Sequence, residues 1–446
     1  MTDLHVGVDV GSTWVKALAC AGGGTVVGHA RQATPWQGSA GGRAELDPHR
    51  LVGIVEALLE QVVADGTPVS IGISGMAEAG VLVGPDGLAP VPIYAWFDPR
   101  GEEELLAAPA AFREELPRRT GLTVSALPSV AKLLHIRAQG VELAGYRWLS
   151  VPEFLVHALG GDVAAETSLA SRTGLLDQDT AAAWPEALDL LGVPAGFLPE
   201  IRSAGDSWGR HRRTGAVLTV AGHDHLVASV AAGVVEETQL YDSMGTAEAL
   251  VRPLRATVPA AERARLAAEG VNVGRHVVPG SSVMLAGSKT GLLLRRVLQL
   301  VGINDADGRE QLDKLVCELE PGAADAVRVT GARNDDGVLA IRTDADGLSP
   351  AVLFAATLAH ATDEVARLLS LMHASVAPPR ASVVSGGWSQ MESVRAARSA
   401  LLPGVTFSAR TEDTAFGAAL FGAFAAGQAA DFIDFVRETT RHSPPQ

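Results

Sequence analysis

The chain has 446 residues, 47% hydrophobic and 20% charged, which suits two or three folded domains and excludes a disordered or fibrous protein. Its 36 Lys and Arg against 51 Asp and Glu leave a formal net charge of −15, which disfavours nucleic acid and anionic membrane as partners. Two cysteines far apart, Cys20 and Cys317, exclude a disulfide scaffold and a cysteine-built zinc site, and they suit a reducing compartment.

The opening Met-Thr-Asp-Leu-His-Val carries no leader pattern and no apolar run reaches about 18 residues, so the cytoplasm is the expected location. Short apolar runs at Leu4 to Val8, Trp14 to Cys20 and Thr25 to Val27, separated by Gly-Ser-Thr and triple-glycine turns, predict a β-meander. Asp47 to Val63 has helical periodicity, with Asp47 as N-cap and Pro48 in the first turn. Val69 to Ser74, rich in β-branched residues and ended by Gly75, returns to a sheet. A second block begins near residue 217, with strands at Leu218 to Ala221 and Gln239 to Ser243 around a small-residue helix at His225 to Val234. Farther on come a long helix at Val352 to Met372, a strand at Ala381 to Ser385 and a helix at Gln390 to Leu401. Mixed strands and helices predict an α/β fold in two domains, 1–216 and 217–446.

The strongest local feature is Gly7 to Lys16. Its turn glycine, Gly11, lets backbone amides approach phosphate oxygens, Ser12 and Thr13 add hydroxyl donors, and Lys16 adds charge. Asp9 is too negative to meet a phosphate directly, and its natural role is to hold Mg²⁺ through water. The pattern returns at Tyr241 to Thr246, an aspartate and a glycine-hydroxyl turn near the start of the second half. Neither G-x-x-x-x-G-K-[ST] nor a strand followed by G-x-G-x-x-G occurs, which removes P-loop and dinucleotide readings.

In Gly222-His223-Asp224-His225, Asp224 sits on a strand-to-helix turn where it serves equally as a proton acceptor or as a helix cap. The flanking histidines are too close in sequence to converge on one metal. Gly386-Gly387 joins a strand to a helix and suits either a tight connection or a flat ligand against the backbone. The helix around Gly417 is dense in small residues, the mark of close packing or of a ligand wall. Met76, Glu78, Trp96, Asp98 and Arg100 are typical sugar-cleft residue types, and each also suits a structural place.

Taken in order, these motifs resemble the FGGY carbohydrate kinase family along nearly the whole chain. The details Trp-Phe-Asp-Pro-Arg, Gly-His-Asp-His-Leu and Gly-Thr-Ala-Glu-Ala resemble its L-fuculokinase and xylulokinase branch. The resemblance implies two actin-like ATPase (ribonuclease H-like) domains flanking a catalytic cleft. It implies ATP-dependent phosphorylation of a small sugar or polyol, with Asp224 as base and Mg²⁺ held by Asp9 and Asp224. Gly11, Ser12, Thr13 and Lys16 match the first phosphate motif, and Gly245 and Thr246 the second. Gly386, Gly387 and Gly417 match the adenosine side, and Met76, Glu78, Trp96, Asp98 and Arg100, with Asp224, the sugar side. Two departures stand out: His135 replaces a common tryptophan, and Met76-Ala77-Glu78 replaces the Gln-Met-His of xylulokinase-like members. ATP and a sugar are the expected partners, and a homodimer stands as the assembly to test. The rival reading is an actin-like nucleotide or sugar sensor, or a degenerate kinase without turnover.

Overall fold

In the computed structural model, which describes residues 3–64, 66–333 and 338–442, the amino terminus forms strands β1 (Leu4–Val10), β2 (Trp14–Ala21) and β3 (Thr25–Ala33). Helix α1 (Pro48–Val63) starts where the Asp47 carboxylate accepts the amides of His49 and Arg50. β4 (Pro68–Gly75) then runs parallel to β1. A lobe of short helices and strands follows, with its own core around Leu105, Phe112, Leu133, Trp148, Trp184 and Phe197. β5 (Val217–His223) adds parallel to β4 and gives the order β5-β4-β1-β2-β3.

The second half holds α2 (Asp224–Ala231), β6 (Gln239–Met244), β7 (Glu248–Leu254), β8 (Val271–Arg275) and β9 (Ser282–Ser288). After them come α3 (Pro350–His373), β10 (Ala381–Ser385), α4 (Glu392–Leu401), β11 (Val405–Phe407) and α5 (Asp413–Ala425). Its sheet runs β8-β9-β7-β6-β10-β11. Within it, β9-β7-β6-β10-β11 repeats the first sheet: an antiparallel meander followed by two parallel strands. The sequence echo between residues 9–13 and 242–246 is therefore an echo of topology.

The boundary expected between 216 and 217 does not separate the sheets. The strand just after it, β5, completes the first sheet, and α5 from near the chain's end packs on that sheet's strands β1, β4 and β5. α5 is buried on nearly every side, which explains its small and apolar sequence. Its approach demands glycine: a Cβ at Gly7 would lie 1.9 Å from the Ala415 carbonyl oxygen, and one at Gly72 1.9 Å from that of Ala418. On the other side of α5, a Cβ at Gly417 would lie 2.6 Å from the Val227 carbonyl oxygen of α2. Close packing accounts for Gly417.

Gly7→Ala is expected to destabilise the fold by about 3 kcal/mol or more, because backbone on both sides must move. Gly53→Ala, at an exposed α1 position with open space around it, is expected to stabilise by about 0.5–1 kcal/mol. Urea unfolding of both variants checks the pair, and an unchanged midpoint for Gly7→Ala would contradict the packing argument.

Candidate active site

Parallel register sets the site. Val10, Gly75 and His223 are neighbours across β1, β4 and β5, so the three strands end side by side. The Gly11 turn, Met76 to Glu78 and Asp224 therefore leave the sheet at one edge, the usual place for a ligand on parallel strands.

The Gly11-Ser12-Thr13 turn is held from behind. Thr34 Oγ1 donates to the Gly11 carbonyl at 2.7 Å, Trp36 Nε1 to the Ser12 carbonyl at 2.9 Å, and the Thr34 amide to the Thr13 carbonyl at 3.0 Å. A trans peptide places its N–H opposite its C=O, so the amides of Ser12 and Thr13 point away from that support. This is the orientation a phosphate oxygen needs. Trp96 Nε1 donates to Ser12 Oγ at 2.7 Å, which couples the expected sugar loop to the expected phosphate loop.

Asp9 and Lys16 face each other across β1 and β2. Asp9 Oδ1 is buried without a hydrogen-bond partner. Burial pushes its carboxyl up to about 7; Lys16 opposes this, and the charges of Asp224 and Glu412 add to it. Lys16 is not disposed toward the turn alone: its Nζ lies 2.6 Å from Glu412, in the residue preceding α5. An oxygen-only, unsatisfied carboxylate beside a second carboxylate fits Mg²⁺, which binds through one or two carboxylates together with waters and phosphates. Among the described residues no cluster of three or more His, Cys, Asp or Glu could hold a metal by itself.

Asp224 is the first residue of α2, and its Oδ1 accepts the amide of His225 at 2.7 Å. Burial would raise its carboxyl, but His225, His223, that amide and Lys16 outweigh burial and hold it below its ordinary value. His223 Nε2 lies 3.3 Å from Asp224. Burial pushes His223 down to about 3, so the ring is neutral near pH 7 and acts on Asp224 as an N–H dipole. Asp224 is thus a hydrogen-bond acceptor below its ordinary pKa, and it is not the helix cap: His223 holds the N-cap position, and no side chain caps the helix.

Glu78 adopts a left-handed φ of 65°, a strained conformation for a non-glycine residue. Its Oε1 takes Nε and Nη2 of Arg172, both at 2.6 Å, with both side chains buried. Burial still holds its carboxyl above the ordinary range against Arg172, and Asp224 and His225 act on it as well. Met76 is buried beside it, its amide on the Val10 carbonyl at 3.0 Å. Asp98 and Arg100 are engaged within their own loop. Arg100 Nη2 meets Asp98 Oδ2 at 2.6 Å, the Ala44 amide donates to the same oxygen at 2.9 Å, and Arg100 Nη1 reaches Glu45 at 2.5 Å. His135 bonds Glu104 at 2.8 Å and stands edge-on to Tyr94.

On the second sheet, Gly245 and Thr246 form the β6–β7 turn, and the Gly386-Gly387 connection follows β10 beside it. A Cβ at Gly386 would lie 2.4 Å from the Met244 carbonyl oxygen, while Gly387 faces open space. Gly291, unremarked in the sequence, packs so closely that a Cβ would lie 1.9 Å from the Gly245 carbonyl oxygen. Asp242, the topological counterpart of Asp9, has a different chemistry. Arg398, fully buried on α4, pairs with Asp242 at 3.0 Å and Glu248 at 2.6 Å. That cluster ties the turn to the helix beyond Gly387. Arg398 lies in no motif, and Arg172, Glu248 and Glu412 lie in motif stretches without being singled out there; their partners Glu78, Arg398 and Lys16 give them a place.

The family model for the FGGY family of carbohydrate kinases, N-terminal domain, matches residues 4–233. Autoinducer-2 kinase of Escherichia coli (strain K12) is 29% identical over 226 residues, covering 47% of this chain and 41% of that protein. Rhamnulokinase of Mannheimia succiniciproducens is 28% identical over 186 residues, covering 40% and 37%. The chain thus spans about two fifths of the length of these curated relatives. Among solved structures, the gluconate kinase of Lactobacillus acidophilus superposes with a TM-score of 0.85 at 17% identity, over 98% of this chain and 92% of that one. A Brucella ovis xyloylose kinase gives 0.85 at 21% identity, over 99% and 93%. These likenesses show the fold, that of sugar kinases built from two actin-like ATPase domains. With the matched region covering more than half of the chain, the protein belongs to the FGGY family of carbohydrate kinases.

Proposed function

We propose that this protein transfers the γ-phosphoryl group of ATP to a hydroxyl of a small sugar or polyol, with Asp224 as the general base. The observation that carries the reading is the placement of Asp224 at the strand edge shared with the Gly11 turn and Glu78, with its carboxyl held below its ordinary value by His225 and His223. A carboxylate held below its ordinary value is ready to accept a proton at neutral pH, as the attacking hydroxyl requires. Amides at Ser12, Thr13 and Thr246 would take charge developing on the transferring phosphoryl oxygens, while the Gly245 amide closes its own turn on the Ala247 carbonyl at 3.0 Å. Lys16 would exchange its Glu412 contact for the phosphates. Asp9 and Asp224 would hold Mg²⁺, which when bound neutralises charge on the β- and γ-phosphates.

Trp96 and Glu78 are proposed to orient the sugar, Trp96 with its ring face and Glu78 through a hydroxyl contact beside Arg172. Gly386 and Gly387 are proposed to receive the adenosine. Among the described residues no helix is long and apolar enough to cross a membrane, and both cysteines are unpaired. A cytoplasmic setting, where ATP is abundant, is proposed on that basis. Whether it works there as a homodimer is a question for light scattering.

The deciding experiment is coupled ADP release with Mg-ATP across fuculose, both xyluloses, ribulose, rhamnulose, glycerol and autoinducer-2. One acceptor is expected to respond, and Asp224→Asn to lower that turnover at least about 100-fold with ATP binding retained. Near-normal turnover by the variant would remove Asp224 from the mechanism. Silence across the panel with ATP still bound would favour a sensor.

Asp9 supplies a second prediction. With its pKa raised to about 7 in the unliganded fold, its proton adds stability at low pH that is lost as pH rises from about 4 through 7. A cation competes with that proton, so Mg-ATP affinity is expected to rise between pH 6 and 8, and to do so far less in Asp9→Asn. Calorimetric titration at several pH values checks this; equal pH profiles for the two proteins would refute it.

A further inference from the structure

The chain turns from β5 into α2 at the peptide joining Gly222 to His223, one residue before Asp224. Both polar ends of this one peptide are held by serine hydroxyls from elsewhere in the sequence. Ser74, at the end of β4, donates its hydroxyl to the Gly222 carbonyl at 2.9 Å. Ser168, in the helical turn Thr167–Ala170, accepts the His223 amide at 3.1 Å. Neither serine has any exposed surface.

A hydroxyl has one proton, and that of Ser168 goes to Glu166 Oε2 at 2.5 Å, which leaves its lone pairs for His223. Glu166 is in turn fixed by the Leu169 amide, which donates to the same oxygen at 3.0 Å. Gly222 has a φ of 108°, and a Cβ there would lie 2.7 Å from Ser168 Oγ and 3.0 Å from Glu166 Oε2. The arrangement closes only around glycine.

We propose that Ser74 and Ser168, with Glu166 behind Ser168, are positioning residues that anchor the 222–223 peptide at the end of β5 and thereby the place from which the Asp224 carboxylate projects. A peptide held at its carbonyl by one element and at its amide by another is anchored against displacement at the end of β5. The Asp224 side chain starts one residue later, so loosening either anchor lets this end of the strand shift and carries the carboxylate with it. A displacement of about 1 Å costs roughly 100-fold in a reaction that depends on alignment. The inference rests on the phosphoryl-transfer reading above.

The test uses Ser168→Ala and Ser74→Ala in the full chain, assayed with the panel acceptor that the wild type phosphorylates. Thermal unfolding and amide exchange over residues 220–226 are followed alongside. Each variant is expected to lose kcat by about tenfold or more per folded molecule, with KM for Mg-ATP changed by less than about twofold. The His223 amide is expected to exchange faster, and Ser168→Thr, which keeps the hydroxyl, to recover kcat. If the added methyl unfolds that variant, Ser74→Ala decides alone, since it loosens the same peptide from its other end. A lower Tm with kcat per folded molecule unchanged overturns the inference and leaves the kinase reading intact. A wild type silent on every acceptor removes the kinase reading first, and this inference with it.

Discussion

One contact governs the rest of the molecule: the seating of α5 against β1 and β4, close enough that residues 7 and 72 must have no side chain. A helix carrying ordinary residues over ordinary strands would ride farther out. At this distance the end of the chain becomes part of the first sheet's core, and Phe416, Phe421 and the alanines between them are fully enclosed. The same seating brings Glu412, just ahead of α5, onto Lys16 at 2.6 Å. α2, which begins at Asp224, is gripped on its other side by Gly417 at Val227. The position of the acceptor carboxylate thus depends on a helix nearly 200 residues away in sequence.

The charges around that edge do not balance locally. Burial, aided by Asp224 and Glu412 and opposed by Lys16, pushes the Asp9 carboxyl up to about 7. Asp224 is buried too, but His225 and His223, with the His225 amide at the helix start and Lys16, hold it below its ordinary value. Two carboxylates at one sheet edge are therefore driven toward opposite protonation states. Such a split is the usual mark of acid–base machinery, and it also prepares Asp9 to exchange a proton for a cation.

The two sheets share a topology and differ in chemistry. Asp9 and Asp242 each keep a buried Oδ1 without a hydrogen-bond partner, but the other oxygen of Asp242 is paired, together with Glu248, to a fully buried Arg398. Removing one member of such a cluster leaves a buried charge uncompensated, so it serves as a rigid link between the Gly245 turn and α4. The first sheet's aspartate faces only Lys16 across the strand pair, whereas the second sheet's is paired directly with a buried arginine.

By itself the sequence was enough for the alternation of strands and helices, the two glycine turns, the α1 cap at Asp47 and the family. Those features depend on neighbours a few residues apart, where periodicity, capping and turn chemistry act. The strands lie within a few residues of their expected places for the same reason. What only the tertiary structure decided are the pairings across long separations: Lys16 with Glu412, Glu78 with Arg172, Asp98 with the Ala44 amide, and Ser74 with the Gly222 carbonyl. It also placed β5 in the first sheet and set Gly417 close against α2. A side chain's partner is set by which strands end together and how closely a helix is seated, and neither quantity leaves a local pattern in the chain.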